Sequence, residues 1–175
     1  MTRPRAPAVI RLVRPRQWAK NVLVFAAPFA AGQLLEPSVL VRTAGAFVAF
    51  CLAASGTYCI NDAVDHEADR AHAVKRHRPV AAGEVSVAAA VVMGAVLMAA
   101  AVVVALGVSG RTLLVVALYV ALTTSYSAWL KAIPVVDLAA VSGGFILRSI
   151  AGGVAAPVPI SQWFLIVAGF GSLFM

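Results

Sequence analysis

The sequence predicts an all-α fold: a polytopic membrane helical bundle with about five complete spans plus the start of a sixth. Three observations predict it. The 175-residue chain is 62% apolar and only 12% charged, whereas a soluble domain carries about 25% charged residues. Its mean hydropathy is +0.93. Apolar runs of roughly 20 residues, enough helix to cross a ~30 Å hydrocarbon core, alternate with short polar breaks along the chain.

Residues 1–20 hold Arg3, Arg5, Arg11, Arg14, Arg16 and Lys20, with Val9, Ile10, Leu12, Val13 and Trp18 between them. A basic segment with interleaved apolar residues is expected to lie on the membrane surface and lead into the first span. Pro4, Pro7 and Pro15, and the lack of a small-residue cleavage pattern, mark it as a retained end rather than a signal peptide. Residues 21–35 form a short first span, with 17–20 as its interfacial start, and Glu36-Pro37-Ser38 turns the chain. The second span runs over 39–60, where Arg42 is near enough to the start to snorkel. Residues 61–84 are the first long polar loop. The third span, 85–108, carries no charge, and Ser109-Gly110-Arg111 leads to a fourth at 112–130. The fifth, 133–155, contains Asp137 and Arg148; Pro157 and Pro159 break it. Gln162-Trp163 opens a sixth run that reaches Met175 still apolar, so a fragment or a truncated gene model is expected. No linker divides the chain, and residues 1–175 read as one domain.

Placing the N-terminus inside puts eleven Lys and Arg on the cytoplasmic side and leaves only Arg42 and Arg111 outside. That bias fixes the orientation and makes the 61–84 loop cytoplasmic. The net charge of +7 then reads as cytoplasmic loops and anionic-substrate sites rather than nucleic-acid binding. Cys51 and Cys59, eight positions apart on one predicted helix, are about 12 Å apart and cannot form a disulfide. They read as small core residues.

Asn61-Asp62-Ala63-Val64-Asp65-His66-Glu67-Ala68-Asp69 holds four of the seven acidic residues, directly after an apolar run. If the second span continues as helix past residue 60, Asn61, Asp62, Asp65 and Asp69 share an arc of about 100°, with Glu67 opposite. Such hard oxygens on one face suit Mg²⁺, which shares its shell with waters and substrate phosphate. An acidic stretch in isolation more often wets a loop. Here the acids gather at one membrane mouth and basic residues follow, which favours a metal carrying a diphosphate. Lys75, Arg76 and Arg78, like Arg14, Arg16 and Lys20, suit either phosphate oxygens or anionic lipid. His77 reads as a loop residue. Asp137 and Arg148, eleven residues apart, share a helix face; Arg148 is about 25 Å along the helix from Lys131. It is a bundle-facing candidate.

The nine-residue stretch matches the NDxxDxxxD motif of the UbiA superfamily of intramembrane prenyltransferases, whose fold has about nine spans. Arg14-Pro15-Arg16-Gln17-Trp18-Ala19-Lys20-Asn21, Lys75-Arg76-His77-Arg78-Pro79-Val80-Ala81-Ala82-Gly83 and Leu147-Arg148-Ser149-Ile150-Ala151-Gly152-Gly153 resemble the decaprenyl-phosphate phosphoribosyltransferase branch. The resemblance implies Mg²⁺-dependent transfer of 5-phosphoribose from phosphoribosyl diphosphate to a polyprenyl phosphate, releasing diphosphate. It implies that Asn61, Asp62, Asp65 and Asp69 hold Mg²⁺ and diphosphate, with the three aspartates as the catalytic set. Lys20, Lys75, Arg78 and Lys131 would contact phosphates, and Tyr126 and Arg148 complete the substrate-binding candidates. A second acidic motif of the superfamily lies beyond the sixth span, so this chain is expected to supply one metal half-site. The expected partners are the sugar diphosphate, the lipid phosphate and the cytoplasmic membrane, with a homo-oligomer left open and no nucleic acid. The alternatives are prenyl transfer from a prenyl diphosphate to an aromatic acceptor, and a non-catalytic transporter or assembly subunit. The transporter lacks support from repeated intramembrane charges or an inverted repeat, while the assembly subunit stays open because a fragment is expected.

Overall fold

The computed structural model describes residues 6–128 and 134–173, and every regular element among them is a helix. The order is α1 (Ala8–Val13), a 3-10 helix (Pro15–Phe25) running into α2 (Ala26–Ala30), then α3 (Pro37–Val64) and α4 (His66–Ala71). A 3-10 turn (Lys75–His77), α5 (Val87–Val108), α6 (Gly110–Ala128), α7 (Pro134–Ala155) and α8 (Gln162–Leu173) follow. Helices α3 and α5 and residues 138–155 of α7 are long and apolar enough to cross a membrane, and α6 and α8 are shorter apolar helices.

The first crossing is where structure and expectation differ most. It is not one α-helix over 21–35; the 3-10 stretch begins at Pro15 and α2 ends at Ala30. A 3-10 helix rises ~2.0 Å per residue against ~1.5 Å for an α-helix, so these two pieces together reach about 30 Å. The tighter winding gives a short segment the reach of a span.

Helix α3 is the centre of the bundle. Against it α5 turns a stripe of small buried residues, Ala90, Gly94, Ala101 and Ala105. Their spacing keeps them on one face. A Cβ on Gly56 would lie 3.0 Å from the Gly94 carbonyl oxygen, and one on Gly94 would lie 3.1 Å from that of Gly56. Small residues thus let the two backbones touch, the packing that replaces hydrophobic collapse in lipid. The other faces of α5 expose Val91, Val92, Val96, Val102 and Val103, as a lipid-facing helix should.

On the other side α7 packs against the first crossing. A Cβ on Gly152 would overlap the Val24 carbonyl oxygen, and one on Gly153 would sit 3.3 Å from the Ala27 Cβ. The core between α3, α6 and α7 includes Phe50 and Tyr119, with ring centroids 5.1 Å apart. Helix α1 does not simply float on the membrane surface. Leu12 is fully buried with Cys59, Ala63, Val80 and Ala90, which docks the basic end onto the mouth of the bundle. Arg11 and Glu84 pair across that seam. Cys51 and Cys59 are both buried free thiols, as the spacing required.

Candidate active site at the bundle mouth

Helix α3 runs one turn beyond its apolar stretch, and that turn carries Asn61 and Asp62. Asp65 then bends the chain. Its N–H donates to the Asn61 carbonyl at 2.9 Å, and its own carbonyl accepts from the Asp69 N–H at 2.8 Å. The helical ladder therefore passes through the bend and largely preserves the phase. Asp62 and Asp69, seven residues apart, both turn inward and are 1% and 2% exposed. Asp65 is half-buried and Glu67 is exposed.

The polar segment folds back over these carboxylates. Arg70 Nε donates to the Ala81 carbonyl at 3.0 Å, and Gly83, at φ +75°, makes the turn a side chain would resist. This return places Arg78. One of its nitrogens, Nη1, donates to Asp69 Oδ2 at 2.8 Å and to Asp62 Oδ1 at 3.2 Å. Arg14 Nη2 donates to the same Asp62 Oδ1 at 2.6 Å, and its guanidinium lies 4.6 Å from the Tyr58 ring centroid. Arg14 has φ +54°, a left-handed conformation that non-glycine residues adopt rarely. The ion pair and the stacking contact hold it at the break between α1 and the 3-10 helix. Asp62 Oδ2 is buried with no hydrogen-bond partner.

Two cavities open on either side of this turn. The outer one, about 340 Å³, is lined by Arg14, Asp62, Lys75, His77 and Arg78 among others. The inner one, about 250 Å³, is lined by Lys20, Tyr58, Asn61, Tyr119, Tyr126 and Arg148 among others. Neighbours along a helix point about 100° apart, so Asn61 faces the inner cavity while Asp62 faces the outer. The inner cavity also shares Lys20 and Phe145 with an apolar groove of about 750 Å³ along Val22, Phe25 and Phe29.

Arg148 is nine-tenths buried and reaches the site because the inner cavity extends down to it. Its Nε donates to Asn21 Oδ1 at 2.8 Å, Nη1 to the Gly144 carbonyl at 2.9 Å, and Nη2 to the Tyr119 hydroxyl at 2.7 Å. All three acceptors are neutral. Asn21 is locked in turn, since its amide donates to Cys51 Sγ at 3.3 Å. Reading the sequence alone missed Asn21, Tyr58 and Tyr119. The available signal was a polar group in an apolar run, which in lipid usually has a partner.

The sequence-derived candidates thus divide. Lys20, Asn61, Tyr126 and Arg148 gather on the inner cavity, and Asp62, Lys75 and Arg78 on the outer. Asp69 joins the outer group through Arg78. Asp65 lines neither cavity and makes none of the ion pairs among the described residues. Lys131 lies outside the described residues. The single four-oxygen face expected for a metal is not what forms, because Asp62 and Asp69 are bridged by a guanidinium. Among the described residues, no three His, Cys, Asp or Glu side chains converge as a metal cage. The donor set fits a different arrangement. Mg²⁺ is commonly held by one or two carboxylates plus substrate phosphate, and the orphaned Asp62 oxygen is such a hard donor.

The model of the UbiA prenyltransferase family matches residues 22–175, and the chain belongs to that family. It is 50% identical over 171 residues to the decaprenyl-phosphate phosphoribosyltransferase of Mycolicibacterium smegmatis, covering 95% of this chain and 54% of that protein. The protein of the same name from Corynebacterium glutamicum is 49% identical, with 97% and 52% covered. The chain spans about half the length of the curated relatives it matches. Its fold is similar to that of a UbiA homolog from Archaeoglobus fulgidus solved with GPP and Mg²⁺, at a TM-score of 0.79 and 23% identity, covering 95% of this chain and 60% of that one. The same homolog with DMAPP and Mg²⁺ gives a TM-score of 0.81 at 22% identity, with 94% and 60% covered. The chain is thus a multi-pass membrane protein of the UbiA fold.

Proposed function

We propose that this chain serves an enzyme that transfers 5-phosphoribose from phosphoribosyl diphosphate to a polyprenyl phosphate, a reading supported by its similarity to proteins named decaprenyl-phosphate phosphoribosyltransferase. The observation that carries the reading is the pair of cation-lined cavities on either side of one turn of α3. Two anionic substrates need two such places. The outer cavity, open at the basic mouth, suits the water-soluble sugar diphosphate. The inner one, which shares Lys20 and Phe145 with an apolar groove, suits a phosphate attached to a hydrocarbon chain. The basic-residue asymmetry supports a reading in which both open at the cytoplasmic face of the inner membrane.

In this reading Arg78 and Lys75 hold the diphosphate, Arg as a fork and Lys as a point charge. The bond from the anomeric carbon to the diphosphate oxygen breaks and its electron pair leaves with the diphosphate. Lys20 and Arg148 hold the lipid phosphate, whose oxygen supplies the new pair to that carbon. No proton must move, because the nucleophile is already an anion. Positioning and charge neutralisation are the protein's main contributions. Asp62, through its orphaned oxygen, is the group that would hold Mg²⁺. Bound there, the metal would supply Lewis-acid stabilisation of charge on the departing diphosphate.

The test gives membranes carrying the protein Mg²⁺ and labelled donors in parallel. Label passing from phosphoribosyl diphosphate into a polyprenyl phosphate, with diphosphate released, is the expected result. Label passing only from a prenyl diphosphate to an aromatic acceptor would overturn the sugar-transfer reading and keep the family. Cation flux without turnover of either donor would overturn both.

A further inference from the structure

By residue type alone, the basic side chains near the mouth suit either phosphate oxygens or anionic lipid. The structure separates them. Arg14 and Arg78 are bonded to Asp62 and Asp69, Lys75 lines the outer cavity and Lys20 the inner. Arg16 does none of these things. It is exposed, makes no ion pair among the described residues, and lines neither substrate cavity. It lies instead on a further cleft of about 510 Å³ between α1 and the Lys75–His77 turn, lined also by Ile10, Arg11, Arg14, Gln17 and His77. Arg11, Arg14 and His77 form the wall that this cleft shares with the outer cavity.

No carboxylate lines the cleft. Glu84 answers the charge of Arg11, and Asp62 that of Arg14. One positive charge, on Arg16, is left unmatched. That suits a singly charged phosphodiester better than a diphosphate of several charges. The two paired arginines still have N–H groups to give: of five donors each, Arg11 spends two on protein acceptors and Arg14 one. The surroundings are those of a lipid headgroup. Arg16 is in the first turn of the 3-10 helix that opens the first crossing, so the cleft lies where the chain enters the membrane. Ile10 on its wall and Val9 beside it are each about half exposed. Apolar surface at the rim of a basic site is what a segment lying in the membrane interface presents to acyl chains. We propose that this cleft binds one anionic phospholipid, its phosphodiester on Arg16 and its acyl chains over Val9 and Ile10. The lipid is a resident of the leaflet rather than a substrate, and its site is independent of the transfer reaction. Through Arg11 and Arg14 it braces α1 against the mouth of the bundle.

Native mass spectrometry can count the bound lipid. The protein in neutral detergent is titrated with dioctanoyl phosphatidylglycerol, and in parallel with dioctanoyl phosphatidylcholine and with glycerol 1-phosphate. The expected result is one phosphatidylglycerol bound at least about tenfold more tightly than either of the others, with a rise in Tm. Arg16→Gln should weaken it about fivefold, the share of one basic residue near an anionic surface, while leaving the lipid-free Tm unchanged. Arg16→Lys should restore most of the affinity. Arg42→Gln, an exposed arginine in the first turns of α3, is the control and should change nothing. Saturating inorganic diphosphate should not displace the lipid. Equal binding of the two phospholipids would overturn the proposal, as would equal losses from Arg16→Gln and Arg42→Gln. Glycerol 1-phosphate binding as tightly as phosphatidylglycerol would make the cleft a site for a soluble anion and overturn the lipid. Displacement by diphosphate would assign the cleft to the outer cavity, leaving the proposed transfer reaction standing and this site refuted.

Discussion

The network around Arg148 can be tested for whether it acts as a unit. Asn21→Leu removes the Oδ1 acceptor of Arg148 Nε and the amide donor to Cys51. Hydrogen bonds to charged groups contribute about 1.5–3 kcal/mol in proteins generally, while those between membrane helices average only ~0.6 and reach ~1.7 kcal/mol. A charged donor facing a fully buried acceptor belongs near the top of the second range, so about 1.5 kcal/mol is the expected loss. For a chain of this size that is roughly 3–6 °C in Tm. Arg148→Met should cost at least as much, because it strands both Asn21 Oδ1 and the Tyr119 hydroxyl. The double variant decides the matter: thermal melts in detergent should show it less destabilised than the sum of the singles, by about 1 kcal/mol or more. Additivity within about 0.5 kcal/mol would refute the claim that these groups are coupled.

Gly152→Val should abolish assembly of the bundle, since even a Cβ there overlaps the Val24 carbonyl oxygen; recovery of folded protein by size-exclusion chromatography checks it. Gly107→Ala is the matched control. Open space surrounds that position in α5, and the change should stabilise the protein by up to ~1 kcal/mol of helix propensity, read as a slightly higher Tm. Leu12→Ala should cost about 2–5 kcal/mol and free the basic end, read as faster proteolysis before residue 14. Asp62→Asn keeps the shape but removes the charge that two arginines share, so Tm should fall and transfer should drop by at least about tenfold in the protein that remains folded.

Much of this was legible in the chain because lipid imposes simple rules. A run such as 85–108 with no charge could only be a span, and α5 starts within two residues of the expected position. The acidic stretch was legible because its period matched a helix. Asp62 and Asp69 do point together and Glu67 does point away. What the pattern could not reveal was the third dimension. No periodicity says that Arg14, 48 positions from Asp62, returns to pair with it, or that Arg78 bridges Asp62 and Asp69. The first crossing was misjudged for a local reason: apolar content does not distinguish 3-10 from α winding, and the reach of a short segment depends on which it adopts. The straight-helix distance of about 25 Å from Lys131 does not say that Arg148 lines a cavity together with Asn61, which the structure shows.

The central claim is that one turn of α3 separates a sugar-diphosphate site from a lipid-phosphate site. Steady-state kinetics of phosphoribose transfer, with each substrate varied in turn, test it most directly. Lys75→Gln should raise KM for phosphoribosyl diphosphate several-fold and leave that for polyprenyl phosphate unchanged. Lys20→Gln should do the reverse. If both variants raise the same KM, or each raises both equally, the two cavities do not serve separate substrates and the account fails.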